Sequence, residues 1–246
     1  MSRERLIADG MVLAVLLLWW LASLGMPEFI LPGPWPVAKT LFSLFTTPAH
    51  LADTAASAAR VIGAVVVATA LGGVLAYLPW RWPLFEGIVH ERIKPFLNSF
   101  PSVGWAILAM VWFGTTDLGV MVVEVAILTP FCLINLSEGL KELDAELLEM
   151  SASFTRRRRR VLLKIVLPML LPYAMSAIRI AYGVGWKIAL VAELFGVSSG
   201  LGAVMLQAQI VSDAATVYAT CLAIVLLFLA GEKLVLDPLS RVVAYK

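Results

Sequence analysis

Charged side chains are scarce in this chain, and their scarcity excludes an ordinary water-soluble protein. Only 15% of its 246 residues are Asp, Glu, Lys or Arg, whereas 61% are apolar. A soluble globular protein has about 25% charged residues and about 45–50% apolar residues. So few polar side chains cannot cover a surface that faces water, and the composition predicts a protein whose natural solvent is lipid.

Cysteine and histidine are almost absent, which removes several kinds of site. The two cysteines, Cys132 and Cys221, both lie inside apolar runs, and this favours free thiols over a disulfide bridge. The two histidines, His50 and His90, are isolated and predict no metal site. The net charge of +2 gives no strong basic field, and no stacking or metal-finger pattern accompanies the arginines, so no binding of nucleic acid is expected.

Long apolar runs are what the sequence has in their place. A helix needs about 20 mostly apolar residues to cross the hydrocarbon core of a bilayer. The runs predict an all-α integral membrane protein, one transmembrane domain over residues 1–246, with about six spans near 10–27, 58–80, 95–114, 118–138, 165–194 and 214–236. The first run also resembles a secretory signal peptide, but its length and the spans that follow favour a retained span.

The distribution of positive charge predicts the orientation. Lysine and arginine accumulate in cytoplasmic loops. With the N-terminus inside, the inside segments hold most of the cations, including the run Arg156 to Arg160 between spans four and five, whereas Lys39 and Arg60 fall on the outer side. Both termini are therefore predicted to be cytoplasmic.

The loop between spans four and five, residues 140–164, combines an apolar stripe with this arginine run. Leu143, Leu147, Met150 and Phe154 recur at spacings of four, three and four, typical of one face of a helix. Acidic residues beside the stripe would oppose binding to anionic lipid, so a groove in a partner protein is favoured. The alternative is a solvated linker whose arginines only hold the spans in place.

The stretch "ELLEMSASFTRRRRRVLLKIVLP" resembles the cytoplasmic signature loop of permease subunits of bacterial ABC importers. The positions that match are Glu149, Ile165, Leu167 and Pro168, and the departures are Met150 and Ser151 for two alanines and Thr155 for a glycine. The segments "ILPGPWPV", "FPSVGWAILAMVWFG", "LPYAMSAIRIAYGVGWKIALVAEL" and "SSGLGAVMLQAQ" resemble the same family in order. The chain is most similar to the branch that handles nitrate, sulfonates, taurine, bicarbonate and pyrimidine precursors of thiamine.

This resemblance implies a type I ABC importer permease fold with a cytoplasmic coupling helix between spans four and five. It implies two ABC ATPase subunits, a second permease copy or similar subunit, and a periplasmic binding protein, all at the bacterial cytoplasmic (inner) membrane. ATP and Mg²⁺ would bind to the partner ATPase and no cofactor to this chain, whose sequence has no glycine-rich phosphate loop followed by Lys and Ser or Thr. The residues implied in coupling to the ATPase are Leu143, Leu147, Glu149, Met150, Ser151, Phe154, Thr155 and Arg156.

The departure at Thr155 concerns the turn inside this loop. The family's glycine adopts a positive φ at little steric cost, whereas a β-branched residue disfavours it. The turn is therefore expected either to be built differently in this chain or to accept strain.

Polar and charged residues within the spans are candidates for a pathway across the membrane, because charge in a bilayer is costly and usually faces a partner or water. Glu124 and Arg179 either line a pathway or form ion pairs that hold spans together. Lys187 could attract an anionic substrate or extend to the membrane surface. Proline interrupts helices, so a break is expected beside Pro101. The candidate pathway residues are Asn98, Ser102, Glu124, Arg179, Lys187 and Glu193.

Two other classes of protein stay open. A membrane-embedded enzyme could use the charges within the spans, but the sequence has no recognisable nucleophile or metal pattern. A secondary transporter working alone would usually show internal repeats, and none is found. The predicted function is non-enzymatic: a transmembrane subunit of an ATP-driven importer for a small solute, such as a sulfonate, taurine or nitrate.

Overall fold

Helices make up the regular secondary structure of the computed structural model, which describes residues 3–143, 150, 153 and 157–244; no strand occurs among them. The longer helices, numbered along the chain, are α1 (Arg3–Leu24), α2 (Pro34–Thr46), α3 (Pro48–Arg81), α4 (Lys94–Ser99), α5 (Ser102–Phe113), α6 (Asp117–Lys141), α7 (Leu167–Gly196), α8 (Leu201–Ile210), α9 (Ala214–Gly231) and α10 (Asp237–Ala244). The prediction of an all-α protein is confirmed.

Four of the described helices are long and apolar enough to cross a membrane: Pro48–Arg81, Asp117–Lys141, Arg159–Gly196 and Ala214–Arg241. The pair Pro83–Ser99 and Ser102–Phe113 could form a fifth span, although its two halves meet at 88°. Residues Asp9–Leu24 of α1 form a shorter apolar helix. The structure thus shows several membrane-spanning helices, and the count of six stays a prediction.

The chain divides into two compact units, the first formed by Met1–Ser57 and Ser198–Leu226. Within this unit, Trp19 of α1 stacks on Tyr218 of α9 with ring centroids 6.3 Å apart. The start of α8 is held by two side chains of α3. The backbone N–H of Gly200 donates to Asp53 Oδ1 at 2.9 Å, and that of Leu201 donates to Ser57 Oγ at 2.8 Å. These bonds satisfy donors that a helix N-terminus otherwise leaves without partners.

The second unit, Ala58–Val197 with Leu227–Lys246, is built around the antiparallel pair α6 and α7. Small residues allow its helices to approach closely, as is common between membrane helices. At Gly72 of α3, an added Cβ would lie 2.6 Å from Cys132 Cβ and 2.8 Å from the backbone N of Leu133 on α6. Buried alanines and valines of α5, α6 and α7 form the adjoining core: Ala106, Ala109, Val120, Val123 and Ala192. Both cysteines are free; Cys132 of α6 is buried, whereas Cys221 of α9 is exposed.

The chain breaks between α4 and α5, where the sequence predicted an interruption beside Pro101. Phe100 and Pro101 have extended backbone dihedrals, with ψ of 128° and 135°, and α5 starts at the following Ser102. The ring centroids of Phe100 and Trp105 lie 4.8 Å apart, so the two aromatic rings pack against each other across the break. The expected helix break is therefore present, and it turns the chain by nearly a right angle.

Three π turns occur among the described residues, and each precedes a proline by two residues. A proline in a helix lacks the N–H donor, and its ring clashes with the carbonyl four residues earlier. Widening the preceding turn relieves that clash while the helix continues. The π turns are Val89–Ile93 before Pro95, Leu162–Val166 before Pro168, and Glu232–Leu236 before Pro238.

Candidate functional site

The root of the predicted coupling loop lies where α6 ends and the chain returns into α7. Gly139 of α6 faces Tyr173 of α7 so closely that an added Cβ would stand 2.5 Å from Tyr173 Cγ. The Tyr173 hydroxyl donates a hydrogen bond to the Glu142 carboxylate. Leu143, the first residue of the predicted stripe, is buried. The loop therefore leaves the membrane domain from a tightly packed pair of helices.

Most of the predicted coupling residues fall in a part of the chain that the structure does not describe. Met150 is helical and exposed. Arg157, Arg159 and Arg160 are exposed at the other side of the loop. Leu147, Glu149, Ser151, Phe154, Thr155 and Arg156 lie outside the described residues, so the coupling helix and the turn at Thr155 stay predictions.

A buried ion-pair cluster lies at the opposite end of the α6–α7 pair. The Arg60 guanidinium of α3 donates to Glu193 Oε1 of α7 at 2.6 Å and to Asp117 Oδ1 of α6 at 2.6 and 2.9 Å. The side chains of Arg60 and Glu193 are 7% and 1% exposed, whereas that of Asp117 is 72% exposed. One guanidinium thus joins three helices, with one buried and one exposed carboxylate.

Glu124 lies near this cluster, about two turns into α6. Its side chain is fully buried, and neither carboxylate oxygen accepts a hydrogen bond from the described residues. A buried carboxyl group of this kind lies inside the helix packing of its own unit rather than on the surface of the chain.

Arg179 connects the middle of α7 to the C-terminal helix. Its Nη2 donates to Asp237 Oδ1 at 2.7 Å, and its Nη1 lies 4.0 Å from Glu232. These side chains are partly exposed, from 28% to 42%. The predicted alternative of an ion pair between helices is therefore what the structure shows for Arg179, and its partners lie on the segment after α9 rather than at Glu124.

The remaining pathway candidates lie on accessible surface of their own unit. Lys187 is exposed on α7, and Asn98 is exposed at the end of α4. Ser102 is half-buried at the first position of α5, beside the break at Pro101. The structure does not bring these three residues together with Glu124 or Glu193, which are buried in the packing of α6 and α7.

The residues that sequence reasoning missed are the partners of Glu193. Arg60 was predicted only as a cation near the outer edge of the membrane, and Asp117 was not singled out. The sequence signal that could have paired them is that residues of opposite charge lie near the same predicted membrane surface in three different spans. Arg60 and Glu193 are 133 residues apart in sequence, so periodicity within one segment could not pair them.

The comparison with protein families gives one match. The family described as "Binding-protein-dependent transport system inner membrane component" matches residues 88–235. The matched region covers more than half of the chain. It includes the break at Pro101, the α6–α7 pair and the whole of the predicted coupling loop.

Individual relatives are similar over most of the chain. The taurine transport system permease protein TauC of Escherichia coli is 27% identical over 210 residues, which cover 82% of this chain and 76% of TauC. A protein of Bacillus subtilis named as an aliphatic sulfonates transport permease, SsuC, is 26% identical, with coverage of 77% and 68%. A protein of Haemophilus influenzae named as an ABC transporter permease is 29% identical, with coverage of 83% and 84%.

Proposed function

This chain belongs to the family of binding-protein-dependent transport system inner membrane components, and from that premise we propose that it forms the pathway for a small organic anion of the sulfonate class. It is a multi-pass, all-α permease subunit of the type I importer fold, and its work is transport. The observation that carries the proposal is the family match over the α6–α7 pair and the loop between them. In such a subunit, the loop transmits force and the spans enclose the solute.

The proposed partners are two ABC ATPases, a second permease copy or similar subunit, and a periplasmic binding protein. The ATPases would grip the loop between α6 and α7, while the binding protein would deliver substrate at the other face. The excess of Lys and Arg in the predicted inside segments supports a bacterial inner membrane location with both termini in the cytoplasm. ATP and Mg²⁺ would bind to the ATPases, since this sequence carries no phosphate loop.

The names of two relatives support the proposed substrate class. TauC is named for taurine and SsuC for aliphatic sulfonates, and both share about a quarter of their aligned residues with this chain. A sulfonate is a compact anion with a permanent charge. The exposed Lys187 on the largely apolar helix α7 provides a complementary charge, and we assign it a role in attracting the anion.

The residues proposed to line the pathway are therefore those on accessible surface: Lys187, Asn98 and Ser102. Glu193 and Arg179 make ion pairs, which support a structural role in holding helices together. Glu124 is buried beside the first of these pairs, and we propose that it sets the packing of that cluster rather than touching the solute.

Co-purification tests the proposed docking of an ATPase. The tagged full-length chain, expressed with its ATPase, is compared with a double variant, Leu147→Ser with Glu149→Ala, that alters the predicted stripe. The matched control is Glu91→Ala, which removes an exposed acidic residue from another segment that is predicted to be cytoplasmic. We expect the ATPase to be retained by the wild type and the control and lost by the double variant. Equal retention by all three would contradict docking at this loop.

A further inference from the structure

A small pocket with a mainly apolar surface and four polar or charged lining residues lies at the end of α3 and α6, in the second compact unit. It has a volume of about 170 Å³, and its polar lining comes from Glu86, His90, Ser137 and Lys141. Ser137 is 7% exposed, and its buried hydroxyl has no hydrogen-bond partner among the described residues. A buried hydroxyl without a partner costs free energy, so this group indicates a missing ligand or solvent molecule.

An apolar groove adjoins this pocket and shares Leu140 with it. The groove has a volume of about 320 Å³. Its walls are Ala70, Gly73, Val74 and Tyr77 of α3 and, across from them, Leu162, Val166, Leu167 and Leu170. With a rise of about 1.5 Å per residue, Val74 lies about 9 Å along α3 from Trp80 in the pocket. The charged lining residues therefore lie at one end of the pair of cavities, and the walls along the helix from there carry no charge.

The aromatic residues at the end of α3 place the end with the charged lining residues at a membrane surface. Trp80 lines the pocket, and the Arg81 guanidinium lies 5.3 Å from the ring centroid of the exposed Trp82. Tryptophan and arginine are favoured at the level of lipid headgroups. The apolar groove then runs from the headgroup level towards the hydrocarbon core.

We propose that this pocket and groove bind one phospholipid that carries both a phosphate and a primary ammonium group, as phosphatidylethanolamine does. The Lys141 ammonium, the His90 imidazole and the Ser137 hydroxyl bind the phosphate. The Glu86 carboxylate at the rim binds the ammonium group, and one acyl chain lies in the groove. The pocket, at about 170 Å³, is small, which suits a headgroup and not a larger solute.

The charges favour this headgroup over an anionic one. Lys141 and Glu86 lie on the same small pocket, and neither forms an ion pair within 4.0 Å with a described residue. A headgroup with one negative and one positive charge matches both of them. Phosphatidylglycerol offers a phosphate but leaves Glu86 without a cation and places it near the same negative charge. The site is at the root of the loop after α6, so a bound lipid would contact the segment from which that loop leaves.

Native mass spectrometry of the full transporter complex, released from detergent with defined lipids added, tests the proposal. The probes are phosphatidylethanolamine, phosphatidylglycerol and the soluble headgroup phosphoethanolamine. We expect the wild type to retain phosphatidylethanolamine in preference to phosphatidylglycerol, and Lys141→Ala and Ser137→Ala to weaken its retention by about tenfold each, the effect of one good hydrogen bond to a phosphate. The matched control is Lys233→Ala, an exposed lysine near the end of the sixth predicted span, and it should retain the lipid as the wild type does.

Two further variants separate the headgroup from the chain. Glu86→Gln should remove the preference for phosphatidylethanolamine within one sample, a ratio that does not depend on how much protein folds. Val74→Trp should fill the groove and release the lipid while leaving the pocket intact, because Val74 is an exposed wall residue. Equal retention by Lys141→Ala and Lys233→Ala, retention despite Val74→Trp, or displacement of the lipid by phosphoethanolamine at equal concentration would each overturn the proposal. If a complex with two permease subunits retains no lipid, we would conclude that the second subunit covers the groove, and the proposal would be wrong.

Discussion

The two ends of the α6–α7 pair differ in whether their charged side chains are buried and paired or exposed. Where α6 begins, the buried Arg60 guanidinium is bonded to Asp117 and Glu193 and fixes three helices at one point. Where α6 ends, Lys141 and Glu142 are exposed and the chain continues into the loop that carries the arginine run. A buried ion pair resists any change in helix spacing, whereas exposed charge is available to another molecule. The first end therefore serves as the fixed part of the unit, and the second as the part that a partner can hold.

Removing the guanidinium should produce the largest loss. Arg60→Met leaves the buried Glu193 carboxylate without its cation, and breaking a buried pair in this way costs about 3–5 kcal/mol. We expect a clear fall in the unfolding temperature of the purified full-length chain in detergent. The control is Arg92→Met, at an exposed arginine, which should change little. If both variants melt alike, the cluster does not fix this end of the unit.

The next largest effect is expected at the opposite end. An alanine Cβ at Gly139 would overlap the rigid Tyr173 ring, and overpacking of this kind costs about 1–3 kcal/mol. Gly139→Ala should lower stability and also weaken retention of the ATPase, because the loop root moves. Gly73→Ala is the matched control, since its Cβ would meet only Leu136 Cδ1 at an ordinary 3.5 Å. If Gly139→Ala and Gly73→Ala have the same stability and retain the ATPase equally, close packing at the loop root is not needed for either property.

A variant at Lys187 tests the effect on transport separately from the effect on stability. Lys187→Ala should lower the uptake rate of a sulfonate by about tenfold by removing the positive charge that attracts the anion. Retention of the ATPase and the melting temperature should not change, because Lys187 is exposed and makes no ion pair with a described residue. Lys39→Ala, at another exposed lysine on the predicted outer side, is the control. Uptake kinetics equal to those of the wild type would exclude Lys187 from the pathway.

The smallest effect should come from the exposed member of the cluster. The Asp117 side chain is 72% exposed, and pairs of this kind contribute about 0.2–1 kcal/mol. Asp117→Asn should therefore shift the melting temperature much less than Glu193→Gln, and added salt should reduce the difference between Asp117→Asn and the wild type. A larger loss at Asp117 than at Glu193 would reverse the roles of the two carboxylates.

Local signals in the sequence were enough to predict the helices but not their contacts. The apolar run at 118–138 became α6, and Pro101 marked a break that the structure contains, because span length and proline geometry act within one segment. The contact of Arg60 with Glu193 joins segments 133 residues apart and depends on how helices pack. The pocket at Ser137 likewise needs two elements to meet, and only the three-dimensional structure shows that its hydroxyl has no partner among the described residues.

Uptake into lipid vesicles tests the central claim most directly. The complete complex of this permease, its ATPase and its binding protein is reconstituted, and accumulation of a labelled sulfonate such as taurine is followed with ATP on the ATPase side. The account predicts that accumulation requires both ATP and the binding protein and stops when a non-hydrolysable ATP analogue replaces ATP. Accumulation by the permease without ATP, driven by an ion gradient across the vesicle membrane, would contradict it.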